Sequence, residues 1–273
     1  MFRVNRRRFG LASAFATLAL IYHCAVQSVR RGNRNALVAI LVNILQTIFL
    51  VCAFYLMFYL LGMRANSIRG NFVVYLMSGI FLYMTHVKTM SAVARSGGPT
   101  SPMMKHAPMN NVISIASSAL GSLYTQLLSL IVVLSLYHLA VEHIYVDNPI
   151  GALGMFLLSW LTGVAVGMVF LAITPWSPGA ATLLTSIYMR ANMIASGKMF
   201  VANSLGYAML KMFDWNPLFH IIDQARGFAF INYYPHNSSV SYPVYVTIVL
   251  IMVGLLGEYF TRQRASISWN ATR

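Results

Sequence analysis

The sequence predicts an all-α integral membrane protein. Three observations carry that reading. Of 273 residues, 58% are apolar and only 9% are charged. The mean hydropathy is +0.67. The apolar residues also come in unbroken runs of roughly 20 or more, the length a helix needs to cross lipid. A soluble domain carries about 25% charged residues, so this chain lacks the polar surface to cover a core in water. That argues against a soluble globular enzyme and excludes intrinsic disorder. The runs are continuous, whereas barrel strands alternate every second residue. An open sheet would leave its edge groups unpaired in lipid.

Six spans follow in order. The first runs over about 37–62, between Arg34 and Arg64. The second occupies 70–87 and is closed by Lys88. The third covers about 112–141 and is closed by Glu142. The fourth starts after Pro149 and ends before Pro175-Trp176-Ser177-Pro178. The fifth begins near Gly179 and is interrupted by Arg190 and Lys198. The sixth covers about 241–260. There is no internal repeat of fixed period.

The segment 9–29 is uncharged and follows Arg3, Arg6, Arg7 and Arg8, so it resembles a signal sequence or a further span. No small-x-small site follows it, which argues against cleavage. Charge bias argues for an in-plane interfacial helix rather than a spanning one. An interfacial helix keeps Arg30, Arg31 and Arg34 on the same side as the N-terminal arginines. Six spans then bring both termini, with Arg262, Arg264 and Arg273, to the cytoplasmic face. Lys88, Arg95 and Lys105 join them, while Glu142 and Asp147 fall outside. Arg64 and Arg69 sit outside and count against the scheme. The organisation is thus a basic N-terminus and interfacial helix over 1–35, a membrane domain over 36–262 and a tail over 263–273. The net charge of +14 reads as topology signals and anionic-lipid contacts, not as a nucleic-acid surface.

Five carboxylates in the whole chain leave little for hydrolytic or proton-relay chemistry. Gly197-Lys198-Met199 resembles the end of a phosphate-binding loop, but the upstream glycine and the hydroxyl after the lysine are missing. His138, Glu142 and His143 lack the spacing of a helical zinc motif. No catalytic residue, metal site or cofactor is expected in this chain.

The loop 88–111 contains Arg95, Gly97, Gly98, Pro99, Pro102, Met103, Met104, Lys105 and Pro108. Glycine and proline break any continuous helix there. One short turn bearing Met103, Met104 and Lys105 fits between them, either as a docking knob for a partner or as an ordinary basic loop. In the fifth region a charge in lipid costs about 2.5–3.5 kcal/mol. Three solutions stand: a segment that dips in and turns at Gly197, a wet cavity facing Arg190, or a short span with snorkelling ends. Beyond it, Asn216-Pro217 reads as a helix start. Asp223 and Arg226, three apart, share a helix face and can pair.

Ser196-Gly197-Lys198-Met199-Phe200, followed by Trp215-Asn216-Pro217-Leu218-Phe219-His220 and Arg226, resembles the membrane subunit of ABC type-2 exporters, in the capsular-polysaccharide and O-antigen branch. The order of elements resembles that family over nearly the whole chain. The resemblance implies short periplasmic re-entrant helices over 197–232, with Gly197, Trp215, Asn216, Pro217, Asp223 and Arg226 as signature positions. It also implies a permease that binds no ATP itself, pairs with a second copy and is driven by two cytoplasmic ATPase subunits, which hold ATP and magnesium. Arg95, Pro99, Met103, Met104, Lys105 and Pro108 would then couple to those ATPases. A lipid-linked glycan would pass between the two copies across the bacterial inner membrane, towards periplasmic and outer-membrane export components. Phe54, Tyr55, Phe58 and Tyr59 on the first span, Phe72, Tyr75, Phe81 and Tyr83 on the second, and Arg190 would line its path, or else the aromatics face lipid, pack or form an interfacial belt. The alternatives are a lipid or drug cargo in the same family, or a membrane transferase acting on lipid-linked sugars.

Overall fold

The computed structural model describes residues 11–30, 36–62, 71–97 and 111–271. The described residues form helices and turns, with no strand among them. The helices are α1 (Leu11–Arg30), α2 (Ala36–Leu60), α3 (Phe72–Ala94), α4 (Asn111–Ala140), α5 (Pro149–Ile173), α6 (Pro178–Ala195), α7 (Tyr207–Phe213), α8 (Pro217–Ala229) and α9 (Ser241–Ala271). A single 3-10 turn, Ala202–Ser204, precedes α7. Among the described residues, five helices are long and apolar enough to cross a membrane: α2, α3, α4, α5 and α9. The expected fifth span is α6, which carries Arg190 and is not among those five.

Helix starts follow from local chemistry. Asn148, Ser177 and Asn216 each precede a proline and each accept a backbone N–H of the first turn. The side chain supplies the acceptor and the proline ring presets φ. Asn71 caps α3 in the same way, through Val73 and Val74. Two helices outrun the apolar text. α3 continues past Val87 through Lys88 to Ala94, and α9 continues past Phe260 to Ala271. A charge ends an apolar run, but it does not end a helix when its side chain finds a polar partner. Lys88 donates to the Gln46 carboxamide on α2.

The centre of the bundle is α3 packed against α5. In their most apolar windows 72% of α3 and 56% of α5 is buried, against 22% for α2 and 17% for α9. Small residues set this contact. Gly163 and Gly167, four apart on α5, face α3, and a Cβ on Gly163 would come 2.6 Å from the His86 carbonyl oxygen. Close backbone approach through small residues is the usual way that helices associate without a hydrophobic drive. Polar groups lock the register: Ser159 Oγ donates to the Leu82 carbonyl at 2.7 Å, and His86 Nδ1 meets Thr162 Oγ1 at 2.9 Å. α9 lies on the other side of α5, with Gly254 against Met168 and Gly257 against Ala172. α2 joins α4 through Asn43 Nδ2, which donates to Ser129 Oγ at 2.7 Å. α1 packs chiefly on α4, where Ser28 Oγ reaches the Ser117 carbonyl at 3.3 Å.

The bundle has two distinct ends. At one, Asn71 donates to Tyr137 and to Glu142, and the Asn148 N–H donates to the Phe228 carbonyl at 2.8 Å. This end carries α7, α8 and the start of α9. At the other, Asn111 donates to Glu258, and Trp176 Nε1 donates to Thr261 Oγ1 at 3.2 Å. Arg95 and the α5–α6 turn lie there.

A control pair on one helix tests the α3–α5 contact. Gly163→Ala should lower stability in detergent by about 1–3 kcal/mol through overpacking. Gly154→Ala, where a Cβ meets nothing within 4 Å, should be neutral or slightly stabilising. Equal melting shifts for both would refute close backbone approach as the organising contact.

Candidate functional site

The segment between α6 and α9 folds back onto the bundle, and one face of α8 holds it. α6 stops at Ala195. Gly197 then takes φ of 73°, a left-handed conformation that favours glycine. A Cβ there would also fall 2.6 Å from the Phe219 ring. The chain leaves helical geometry at this point, so its carbonyls and N–H groups need other partners.

Arg226 and Asp223 supply them. Arg226 is fully buried. Its Nη1 donates to the Gly197 carbonyl at 2.9 Å and to the Phe200 carbonyl at 2.7 Å, and its Nη2 donates to the Lys198 carbonyl at 2.7 Å. The guanidinium lies 4.2 Å from the centroid of the Tyr75 ring. Asp223 Oδ1 accepts the Ala202 N–H at 3.2 Å and the Tyr233 hydroxyl at 2.5 Å. Its Oδ2 accepts the Ser238 hydroxyl at 2.7 Å. Burial and the bond to Asp223 push the Tyr233 pKa above the usual tyrosine value, which keeps that hydroxyl a donor.

The expected pairing of Asp223 with Arg226 is therefore not formed. The two residues share a face of α8, yet each turns to the folded-back segment. Among the described residues the contact of a basic side chain with a carboxylate is His220 Nε2 with Asp214 Oδ1, at 3.2 Å. The reason is a competition for partners. A buried carbonyl without a donor costs about 1–3 kcal/mol, and one guanidinium fork serves three of them at once.

The clamp buries Lys198. Its Nζ stands 3.7 Å from the centroid of Tyr83 and 4.8 Å from that of Phe54, and it has no hydrogen-bond partner. Burying a lone amine in an apolar setting is costly. The two ring faces offset part of that cost while the amine is charged. Gly79 on α3 makes the room, since a Cβ there would lie 2.8 Å from Arg226 Nη2 and 2.9 Å from Lys198 Cα. Asn216 ties the start of α8 to the end of α6, donating to Asn192 Oδ1 and to the Ala195 carbonyl, both at 2.9 Å. His220 Nδ1 accepts the Ser239 N–H at 3.2 Å, so its proton sits on Nε2 and points to the Asp214 carbonyl at 2.7 Å.

The signature residues Gly197, Asn216, Pro217, Asp223 and Arg226 thus meet around one folded-back segment. Trp215 stands apart: its side chain is exposed, and its carbonyl accepts the Tyr242 hydroxyl at 2.7 Å. The aromatics divide by face. Phe54 and Phe58 point into the core, while Tyr55 and Tyr59 face outwards. Tyr75 and Tyr83 are buried as ring partners of the two cations. Arg190 is exposed on α6, and Arg95 is exposed at the end of α3. Pro99, Met103, Met104, Lys105 and Pro108 lie outside the described residues. Sequence reasoning missed Gly79, Asn192, Tyr233 and Ser238. A glycine among the large side chains of α3 was a signal for Gly79. Nothing local marks the other three.

The chemistry of this cluster is that of a latch. Asp223 is engaged by three donors and Arg226 by three carbonyls, so neither is free to act on a substrate. What the arrangement does is hold irregular backbone inside an apolar bundle.

No family model matches the chain. Over 198 residues, 72% of this chain and 76% of the other, it is 20% identical to the polysialic acid transport protein KpsM of Escherichia coli.

Two substitutions separate the parts of the latch. Arg226→Lys should cost a few kcal/mol, because the three N–H groups of an ammonium diverge from one atom and cannot reach carbonyls spread over both ends of the guanidinium fork, and each charged hydrogen bond is worth about 1.5–3 kcal/mol. Lys198→Met should raise the melting temperature, because it removes a buried amine that has no hydrogen-bond partner. An unchanged or lower melting temperature would show that the two ring faces repay the burial of the amine.

Proposed function

We propose that this chain is the permease subunit of an ATP-driven exporter of the ABC type-2 kind, which moves a lipid-linked polysaccharide of capsule or O-antigen type across the bacterial inner membrane. The observation that carries the reading is the similarity to a polysialic acid transport protein over nearly three quarters of the chain. The five apolar helices and the latched segment before the last of them support it. Charge supports the orientation. Glu142, Asp147, Asp214 and Asp223 gather at the end that carries α8, while Lys88 and Arg95 lie towards the other. The positive-inside rule makes the second end cytoplasmic. α6 and the segment 197–232 then act as a sixth span with periplasmic re-entrant helices, and both termini are cytoplasmic.

In this reading the chain forms a homodimer and two ATPase subunits dock beneath it. Arg95, Pro99, Met103, Met104, Lys105 and Pro108 form the docking loop. ATP binding and hydrolysis bias the permease between states, and no bond is made or broken in this chain. Tyr55, Tyr59 and Arg190 belong to the walls near the glycan path, and Phe54 and Phe58, which point into the core, back that wall from within. α2 and α6 suit that role, since both present exposed faces outside the tightly packed α3–α5 centre.

Co-expression tests the reading. The purified chain alone should show no ATPase activity, and it should co-purify with an ATPase subunit of such an exporter when the two are co-expressed. Replacing Met103, Met104 and Lys105 with alanine should cut recovery of that ATPase about tenfold, as loss of interface anchors does. ATP hydrolysis by the chain alone, or unchanged recovery, would overturn the assignment of roles. Reporter tags give a second check: fusions after Arg273 should report the cytoplasm, and fusions near Trp215 the opposite side.

A further inference from the structure

A second polar feature lies away from the latch. Between α1, α2, α3 and α4 there is a cleft of about 460 Å³. Lys88 and Arg95 line one wall, Asn43 and Gln46 another, and Gln126 and Ser28 complete it. Lys88 and Arg95 are seven residues apart on α3, so they lie on one face at about 10 Å along the axis. Among the described residues no carboxylate pairs with either of them. The floor is pre-arranged: Gln126 Nε2 donates to Asn43 Oδ1 at 3.2 Å, and Asn43 Nδ2 donates to Ser129 Oγ. This order commits Asn43 and Gln126 to one another, while the Gln46 carboxamide accepts from Lys88, so the two cations have only neutral partners in the cleft.

The cleft reaches the surface, since exposed Gln46, Val42 and Arg95 border it. Val42 belongs to the outer face of α2, which continues as Leu37, Val38, Leu41 and Leu45, all exposed. So a cationic, amide-lined recess opens beside an apolar face. Its position also fits a leaflet. Arg95 marks the end of α3, and Lys88 sits about two turns deeper, at the depth between headgroups and acyl chains.

We propose that this cleft binds the phosphate headgroup of an anionic phospholipid, with Lys88 and Arg95 as the phosphate ligands and the acyl chains lying along α2. A charged recess without acids attracts an oxyanion, and the half-buried Lys88 meets a neutral amide where an oxyanion would balance its charge. The neighbouring apolar face favours a lipid over a free anion. A lipid held here would wedge α1 against α2 and α4, so it would support the packing of α1, which otherwise rests chiefly on α4. The inference concerns the isolated chain and stands apart from the transport reading.

The test is lipid binding to the purified full chain in neutral detergent, read by native mass spectrometry and by thermal shift. The probes are phosphatidylglycerol, phosphatidylcholine and inorganic phosphate. Phosphatidylglycerol should bind and raise the melting temperature, and phosphatidylcholine should bind more weakly. Lys88→Gln with Arg95→Gln should weaken phosphatidylglycerol by about tenfold or more. The charge-preserving pair Lys88→Arg with Arg95→Lys should retain it, which guards against misfolding as the cause. Lys211→Gln, an exposed site at the far end, should change nothing. Equal binding of both lipids, or equal binding by the double glutamine variant, would overturn the proposal. A full shift with inorganic phosphate alone would also overturn it, by making the ligand a free anion. The ATPase plays no part in these measurements, so their failure would leave the transport reading intact.

Discussion

Irregular backbone inside an apolar bundle needs hydrogen-bond partners, and Arg226 supplies three of them to a single stretch of chain. Most of the architecture around α8 follows from that requirement. The segment after Gly197 can fold inwards only because its carbonyls meet a fixed fork of donors. Asp223 completes the hold by taking the N–H of Ala202. The opposite charges on one helix face do not neutralise each other. Each satisfies the opposite kind of backbone group, and Tyr75 and Tyr233 close the two sides.

The consequences spread outwards. Holding Gly197 to Phe200 inside carries Lys198 into the core, where its amine meets ring faces rather than oxygen. α3 must yield space for this, and Gly79 yields it. Asn216 both caps α8 and bonds to the end of α6, so the last turn of α6 and the first turn of α8 are one joint. In the transport reading, this joint links the exposed face of α6 to the outer end of the bundle. Movement of α6 would be transmitted to α8 through a short chain of charged and amide groups.

Small residues and isolated polar side chains do the rest of the work within the helices. Gly163 and Gly167 bring α5 onto α3, and Gly254 and Gly257 bring α9 onto α5. Between apolar helices in lipid there is no solvent to expel, so packing and hydrogen bonds must fix the register. Asn43 with Gln126 and Ser129, and His86 with Thr162 and Tyr188, are such fixings. They explain why apolar helices contain amides and an imidazole that composition alone would place at a surface.

The amino-acid text made legible what local properties fix: a helical membrane protein, helix starts after Pro149, near Gly179 and at Asn216-Pro217, and Gly197 as one of three ways to accommodate the charged fifth region. Apolar run length, capping side chains and glycine's access to positive φ act within a few residues, so they are readable in order along the chain. It ended the second span at Val87, before the end of α3 at Ala94, because it took Lys88 as a stop, while the sixth span, set at about 241–260, agrees with Ser241–Thr261. The tertiary structure alone decided that Asp223 and Arg226 serve separate partners, that Tyr75 and Tyr83 cover cations and that Tyr55 and Tyr59 face outwards. Those choices depend on which buried backbone groups, up to 29 residues distant in sequence, would otherwise go without a hydrogen bond, and hydropathy does not encode such distant needs.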